Sequence, residues 1–294
     1  MGRTRISGRL GRSIHFIPGC AAVALAVAAL AGCRPFPVHL DPVSVNGRDG
    51  GGPAPSYDAL MRIGTAARAG GDLTNALAIF RRAAAIQPTV PAPFVAVGDT
   101  LLAMGQVNDA IAAYNSALAR DSGDFAAQLG LGRAYLESGR PELALVPVSK
   151  VLAARPNDAK ALLLLGVAKD QAGDHPAAQE AYRRGLGYAP GDPALSVDLA
   201  LSLALSGNYP NAIAVLQPVA MAPRGTAQER QTLALIYGLQ GSLAEAAQLG
   251  RIDLDEASVE HNLAYYQTLR GLSPEARSRA VLSAGRTPAP GGLS

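Results

Sequence analysis

From Tyr57 onward, small and apolar residues recur in one pattern that repeats every 34 positions without a gap. Units counted from Tyr57, Pro91, Phe125, Ala159, Pro193 and Ala227 carry Ile63, Val97, Leu131, Leu165, Leu199 and Leu233 at the seventh position. The eighth is small throughout: Gly64, Gly98, Gly132, Gly166, Ala200 and Ala234. The fifteenth is always glycine (Gly71, Gly105, Gly139, Gly173, Gly207, Gly241), and the twentieth always alanine (Ala76, Ala110, Ala144, Ala178, Ala212, Ala246). Each unit predicts a pair of helices. The fifteenth-position glycine closes the first helix, since a left-handed residue lets the chain reverse without a Cβ clash. Small residues at eight and twenty let neighbouring helices approach, and bulk at twenty-four (Phe80, Tyr114, Val148, Tyr182, Leu216) fills the space between them. Pro88, Pro156 and Pro190 end the second helix; Pro223 does so one place early, and Ser122 takes the place in the second unit.

The sixth unit departs from the pattern after Ala246, with Gly250 at the bulky position and Ser258 where proline is expected, which predicts a short or displaced second helix. Val259, Leu263, Tyr266 and Leu269 predict a further helix capping the last hairpin, as a stack of repeats requires. Ser273-Pro274-Glu275 reads as an N-cap with proline at N1, opening a last short helix to about Ser283. The expected organisation is six units over 57–260, capping helices over 261–283 and a tail at 284–294 that is disordered by composition. Composition agrees with helix on helix. Aromatics are 5% of the chain and tryptophan is absent, whereas a sandwich or barrel needs more β-branched and aromatic residues.

This pattern resembles the tetratricopeptide repeat over about residues 57–260. The resemblance implies an all-α fold, a right-handed superhelical solenoid of helix-turn-helix repeats.

Before the repeats, residues 1–13 are basic and Cys20 to Leu30 is almost wholly Ala, Val and Leu. That apolar run is too short to span a bilayer, which takes about 20 residues, and reads as a secretory signal over 1–32. It closes on Leu30-Ala31-Gly32-Cys33, which resembles a bacterial lipobox. The resemblance implies that Cys33 is acylated and becomes the first residue of the mature chain, anchored stably to a membrane by several acyl chains. Arg34 stands where an Asp commonly retains such lipoproteins at the inner membrane, so the expected address is the outer membrane, facing the periplasm. The alternative is ordinary cleavage near Ala29-Leu30-Ala31. Residues 34–56 are rich in Pro and Gly and read as a flexible tether, holding the folded part roughly 25–30 Å from the lipid.

The processing site changes the charge argument. The whole chain carries 26 basic and 23 acidic residues, a net charge of +3. Four of the arginines (Arg3, Arg5, Arg9, Arg12) lie in residues 1–32, and without them 22 basic residues face 23 acidic ones, a net charge of −1. No basic block interleaved with aromatics remains, so a nucleic-acid partner is not expected. Cys20 leaves with the signal, so no disulfide is expected either.

Candidate chemistry is sparse. His39, His175 and His261 have no second His, Cys or carboxylate at ligand spacing and read as surface residues. Gly130-Leu131-Gly132 begins like a dinucleotide loop, but no strand precedes it. No nucleophile motif is present. The expectation is no enzyme, no cofactor, no metal and no small-molecule substrate.

Binding is the expected role. First helices of stacked hairpins line a groove, here expected to include Val95, Leu102, Leu129, Arg133, Leu136, Leu163, Val167, Asp170, Val197 and Leu201. This row is more apolar than a solvated face, and predicts an extended or helical partner segment lying in the groove. The competing reading has these side chains packing against neighbouring helices or tightening the superhelix. The Lys and Asn cluster with which some repeat proteins clamp a terminal carboxylate is absent.

One segment narrows the field. Asp253-Leu254-Asp255-Glu256 through Asn262-Leu263-Ala264-Tyr265-Tyr266 is similar to the TadD lipoproteins of the tight-adherence, or Flp pilus, machinery. That resemblance implies a pilotin-like role: assisting assembly or localisation of the outer-membrane secretin, the expected protein partner. The alternatives are a repeat lipoprotein serving a type IV pilus secretin, one serving outer-membrane protein insertion, and an adaptor for peptidoglycan enzymes.

Overall fold

The computed structural model describes residues 55–284. The expected signal segment, the expected acylation site Cys33, the expected tether up to residue 54 and the tail from 285 lie outside the described residues. Fourteen helices and no strand make up the described part. Twelve pair off as hairpins: α1 (Tyr57–Ala69) with α2 (Leu73–Ile86), α3 (Ala92–Ala103) with α4 (Val107–Leu118), α5 (Phe125–Glu137) with α6 (Pro141–Ala154), α7 (Ala159–Gln171) with α8 (His175–Tyr188), α9 (Pro193–Leu205) with α10 (Tyr209–Ala220), and α11 (Ala227–Gln240) with α12 (Leu243–Asp253). The reversal between partners falls at the fifteenth-position glycines, all with positive φ, from +72° at Gly139 to +106° at Gly241. Acceptors at the N-termini are local too. Ser56, Asp124, Asp158 and Asp192 each accept a backbone N–H three residues on, satisfying a donor the helix itself leaves free.

Within each hairpin the eighth and twenty-fourth positions interlock. A Cβ on Gly64 would come within 2.6 Å of the Phe80 ring, on Gly98 within 2.7 Å of Tyr114, and on Gly166 within 2.2 Å of Tyr182. Tyr114 is gripped from the next hairpin as well, since a Cβ on Gly130 would lie 2.3 Å from its ring. Phe80, Tyr114, Val148, Tyr182 and Leu216 are all buried, as are the twentieth-position alanines beside them. Small-against-large packing of this kind lets helices approach at core density with few aromatics.

First helices of successive hairpins touch one another from α3 to α11 (α3 with α5, α5 with α7, α7 with α9, α9 with α11), whereas the second helices are too far apart to do the same. The stack therefore curves with the first helices on its inner side. Its two ends differ. At the start, Ile63 is 50% exposed, although Val97, Leu131, Leu199 and Leu233 at the same position are buried against the preceding hairpin. At the far end, α13 (Glu256–Arg270) buries Val259, Tyr266 and Leu269 against α11 and α12. Gly238 makes room for Tyr266, whose ring would lie 2.3 Å from a Cβ there.

The boundary between repeats and cap needs correcting. The sixth hairpin ends at Asp253 and the capping helix starts at Glu256, not at 261. The cause is Asp255, whose carboxylate accepts the Ser258 N–H and opens a new helix there. The last helix, α14 (Pro274–Ala284), is capped by Ser273, whose hydroxyl accepts the Ala276 N–H at 3.2 Å. Instead of extending the stack it turns back and packs on α9. No described helix is long and apolar enough to cross a membrane.

Candidate protein-binding surface

The inner side carries the ten groove positions named above, and the structure sorts them into three groups. Val95, Leu129, Leu163, Val167, Val197 and Leu201 are half-buried, giving a discontinuous apolar row across four first helices. Leu102 and Leu136 belong to the core, 6% and 3% exposed, and present nothing to a partner. Arg133 is open, whereas Asp170 is buried and fully engaged within the chain. Leu102, Leu136 and Asp170 are therefore corrected from groove-lining to interior. All three sit at the twelfth position of their units.

Toward the N-terminal end the polar centre is Asp99 on α3. Its carboxylate accepts from Tyr114 Oη at 2.7 Å, Arg133 Nη2 at 3.2 Å and Arg68 Nη1 at 3.3 Å, joining three hairpins. The three charged partners are a third to a half exposed, around a cavity of about 340 Å³. Burial, and then the Asp99 charge, raise the Tyr114 hydroxyl's pKa.

Toward the C-terminal end the same kind of tyrosine–aspartate bond recurs in other company. Tyr182 Oη donates to Asp170 Oδ2 at 3.0 Å and Ser202 Oγ to Asp170 Oδ1 at 2.7 Å. His175 Nδ1–H donates to Oδ1, also at 2.7 Å, and its Nε2 lies 3.2 Å from Ser278 Oγ on α14. Asp170 is 4% exposed. His175 is thus not the free surface residue its turn position suggests; the first residue of α8 projects back over the end of α7. Burial, followed by Asp170 and Asp198, holds the Tyr182 hydroxyl well above its ordinary range. Nearby, half-buried Asp198 on α9 is pushed up to about 7, first by burial and then by the Asp170 and Asp192 charges. A cavity of about 1060 Å³ separates the turns of these hairpins from α14.

Asp170, His175 and Ser278 follow one another in the order of an acyl-transfer relay. Ser278, however, lies in the interior of α14, where the backbone N–H groups around it close helix bonds and are not free to stabilise an oxyanion. The chemistry this geometry performs is holding a helix in place. No group of three His, Cys, Asp or Glu side chains converges as a metal site among the described residues.

Sequence reasoning treated the twenty-fourth position only as bulk and so missed its hydroxyls. The available signal was tyrosine in place of phenylalanine in units two and four, each with an aspartate on the same unit's first helix. For Ser278, 103 residues from His175, no periodic signal exists.

Comparison with known proteins agrees with this geometry. One tetratricopeptide-repeat model matches residues 101–167 and a second matches 48–91 and 163–225. Among solved structures, PilW, described as a widely conserved type IV pilus biogenesis factor, matches with a TM-score of 0.62 at 18% identity, covering 72% of this chain and 97% of its own. Pseudomonas aeruginosa PilF matches with a TM-score of 0.58 at 20% identity, covering 71% and 97%. A tetratricopeptide repeat protein from Parabacteroides merdae matches at 0.60 and 18%, covering 72% and 84%. No curated protein matches by sequence.

Proposed function

This chain belongs to the tetratricopeptide-repeat family, and we propose that it is an outer-membrane-anchored periplasmic scaffold that holds the secretin of a Flp-type pilus machinery while that ring assembles. The observation that carries the proposal is the half-buried apolar row on the inner face, Val95, Leu129, Leu163, Val167, Val197 and Leu201. Six aliphatic side chains on one curved surface suit a partner segment laid along it. The lipobox-like Leu30-Ala31-Gly32-Cys33 supplies the membrane address, and the Asn262-Leu263-Ala264-Tyr265-Tyr266 segment supplies the choice of machinery. The likeness to PilW, described as a type IV pilus biogenesis factor, is one of fold.

The test is capture of the secretin from detergent-solubilised envelopes, read by immunoblot. Leu129→Glu combined with Val167→Glu abolishes capture while circular dichroism stays unchanged; secretin recovered at the wild-type level overturns the groove reading. The likeness of fold to PilW, described as a type IV pilus biogenesis factor, makes a type IV pilus secretin the second reading, and recovery of that ring instead of the Flp-type one decides for it. Cys33→Ser releases the protein from the membrane fraction, and a mature N-terminus free of lipid in mass spectrometry removes the anchor from the account.

A further inference from the structure

The last helix, α14, lies across the turns of the fourth and fifth hairpins and is held there in an unusual way. Of its residues whose side chains are described, Ser278 alone is buried, whereas α13 beside it buries three apolar side chains. Its attachments are polar: Ser278 Oγ to His175 Nε2 at 3.2 Å, and Arg277 to Tyr209 Oη at 3.4 Å and to the carbonyls of Leu269, Arg270 and Leu272. Eleven residues are too few for a helix to persist in water by itself. The helix is formed where it rests, on a surface that contributes little apolar burial.

That surface does not depend on α14. His175 is oriented by Asp170, and Asp170 by Tyr182 and Ser202, all from α7, α8 and α9. With α14 gone, Asp170 would still hold the ring by Nδ1, and Nε2 on its far edge would be left unpaired. Beside it, Gln171 Oε1 is buried and has no hydrogen-bond partner. The fit is also incomplete, because the cavity of about 1060 Å³ lies between α14 and these turns. On the cavity side α14 presents Ala280, Leu282 and Ser283 together with longer charged side chains, and these leave it unfilled.

We infer that the turns of the fourth and fifth hairpins form a helix-binding site that α14 occupies in cis, and that its partner is another helix which displaces α14. The chemistry of that helix follows from what α14 already uses: an Arg-Ser pair, with Ser meeting the His175 ring, and an aliphatic residue four places on, where Leu282 lines the cavity. A bulkier side chain at the place of Ala280 fills the space that α14 leaves. Covering this site keeps it closed until such a helix competes for it. The inference is independent of the secretin-binding groove, since its site lies at the turn edge and its test uses no secretin.

The experiment uses the full chain and a fluorescein-labelled peptide of residues 271–284 as the probe, read by fluorescence anisotropy. The wild-type chain, with its site filled, binds the peptide weakly. Arg277→Ala combined with Ser278→Ala loosens α14 and raises peptide affinity at least tenfold with helicity retained, and adding His175→Ala reverses the gain. Unchanged affinity in the loosened chain, or a gain that survives loss of His175, overturns the inference. Hydrogen exchange on the wild-type chain gives a second reading that needs no variant. Amides of α14 exchange at least tenfold faster than those of α13, and equal protection rules out a displaceable helix.

Discussion

Asp99 and Asp170 occupy the two halves of one repeating scaffold and receive the same bond, a hydroxyl from the tyrosine at the twenty-fourth position of their own unit. Around Asp99 the other donors are two arginines, and the carboxylate remains 32% exposed. Around Asp170 they are a serine and a histidine, exposure falls to 4%, and another helix closes over the site. The first arrangement draws on charge in a wet groove, where ion pairs contribute little. The second depends on complete satisfaction of a buried acceptor, where the loss of one partner is costly. Two carboxylates that receive the same tyrosine hydroxyl are thus expected to differ several-fold in what they contribute.

Removing the acids breaks the comparison most directly. Asp170→Ala leaves the Tyr182, Ser202 and His175 donors unpaired in the interior and costs about 3–5 kcal/mol in urea denaturation. Asp99→Ala, whose donors turn to water, costs about 1 kcal/mol. Equal losses would show that burial does not separate the two sites.

The next effect is one of pH. The Asp198 carboxyl ionises at about 7 in the folded chain and near 3.8 in an ordinary setting, so the folded form holds its proton longer than the unfolded one. Its contribution is fully favourable below about pH 4 and declines as pH rises toward 7. Asp198→Asn removes that decline, and its advantage over wild type grows from pH 4 to pH 8 to roughly 3–4 kcal/mol, measured by denaturation across that range.

Smaller still is the loss of the tyrosine hydroxyls. Tyr182→Phe costs about 1.5 kcal/mol, because a buried carboxylate loses a donor, and Tyr114→Phe costs less than 1 kcal/mol, because the arginines and water remain. Last comes Arg68→Ala, at about 0.5 kcal/mol in low salt, fading as ionic strength rises. A salt-insensitive loss there would point instead to the Arg68 guanidinium over the Phe80 ring, 5.6 Å from its centre.

The placements that the sequence missed all concern where a side chain goes after the helices have paired. Leu102, Leu136 and Asp170 share the twelfth position with Arg68, which does reach the inner surface. Position in the repeat therefore does not decide exposure; the neighbouring hairpin does. His175, at the start of α8, looked solvated because its turn is solvated. Its ring turns inward because a buried carboxylate one turn away gains a donor from it.

What the chain determined on its own is the hairpin and its repetition. The turn glycines, the glycine-against-ring pairs and the capping aspartates act within one unit or at a fixed distance of one unit, so a period of 34 writes them into the sequence directly. Only the tertiary structure decided that the last helix turns back, meets His175 across 103 residues and closes the C-terminal half while the N-terminal half stays open. That contact depends on the accumulated curvature of several hairpins and on the angle at which α13 leaves the stack. No local preference encodes a sum of that kind.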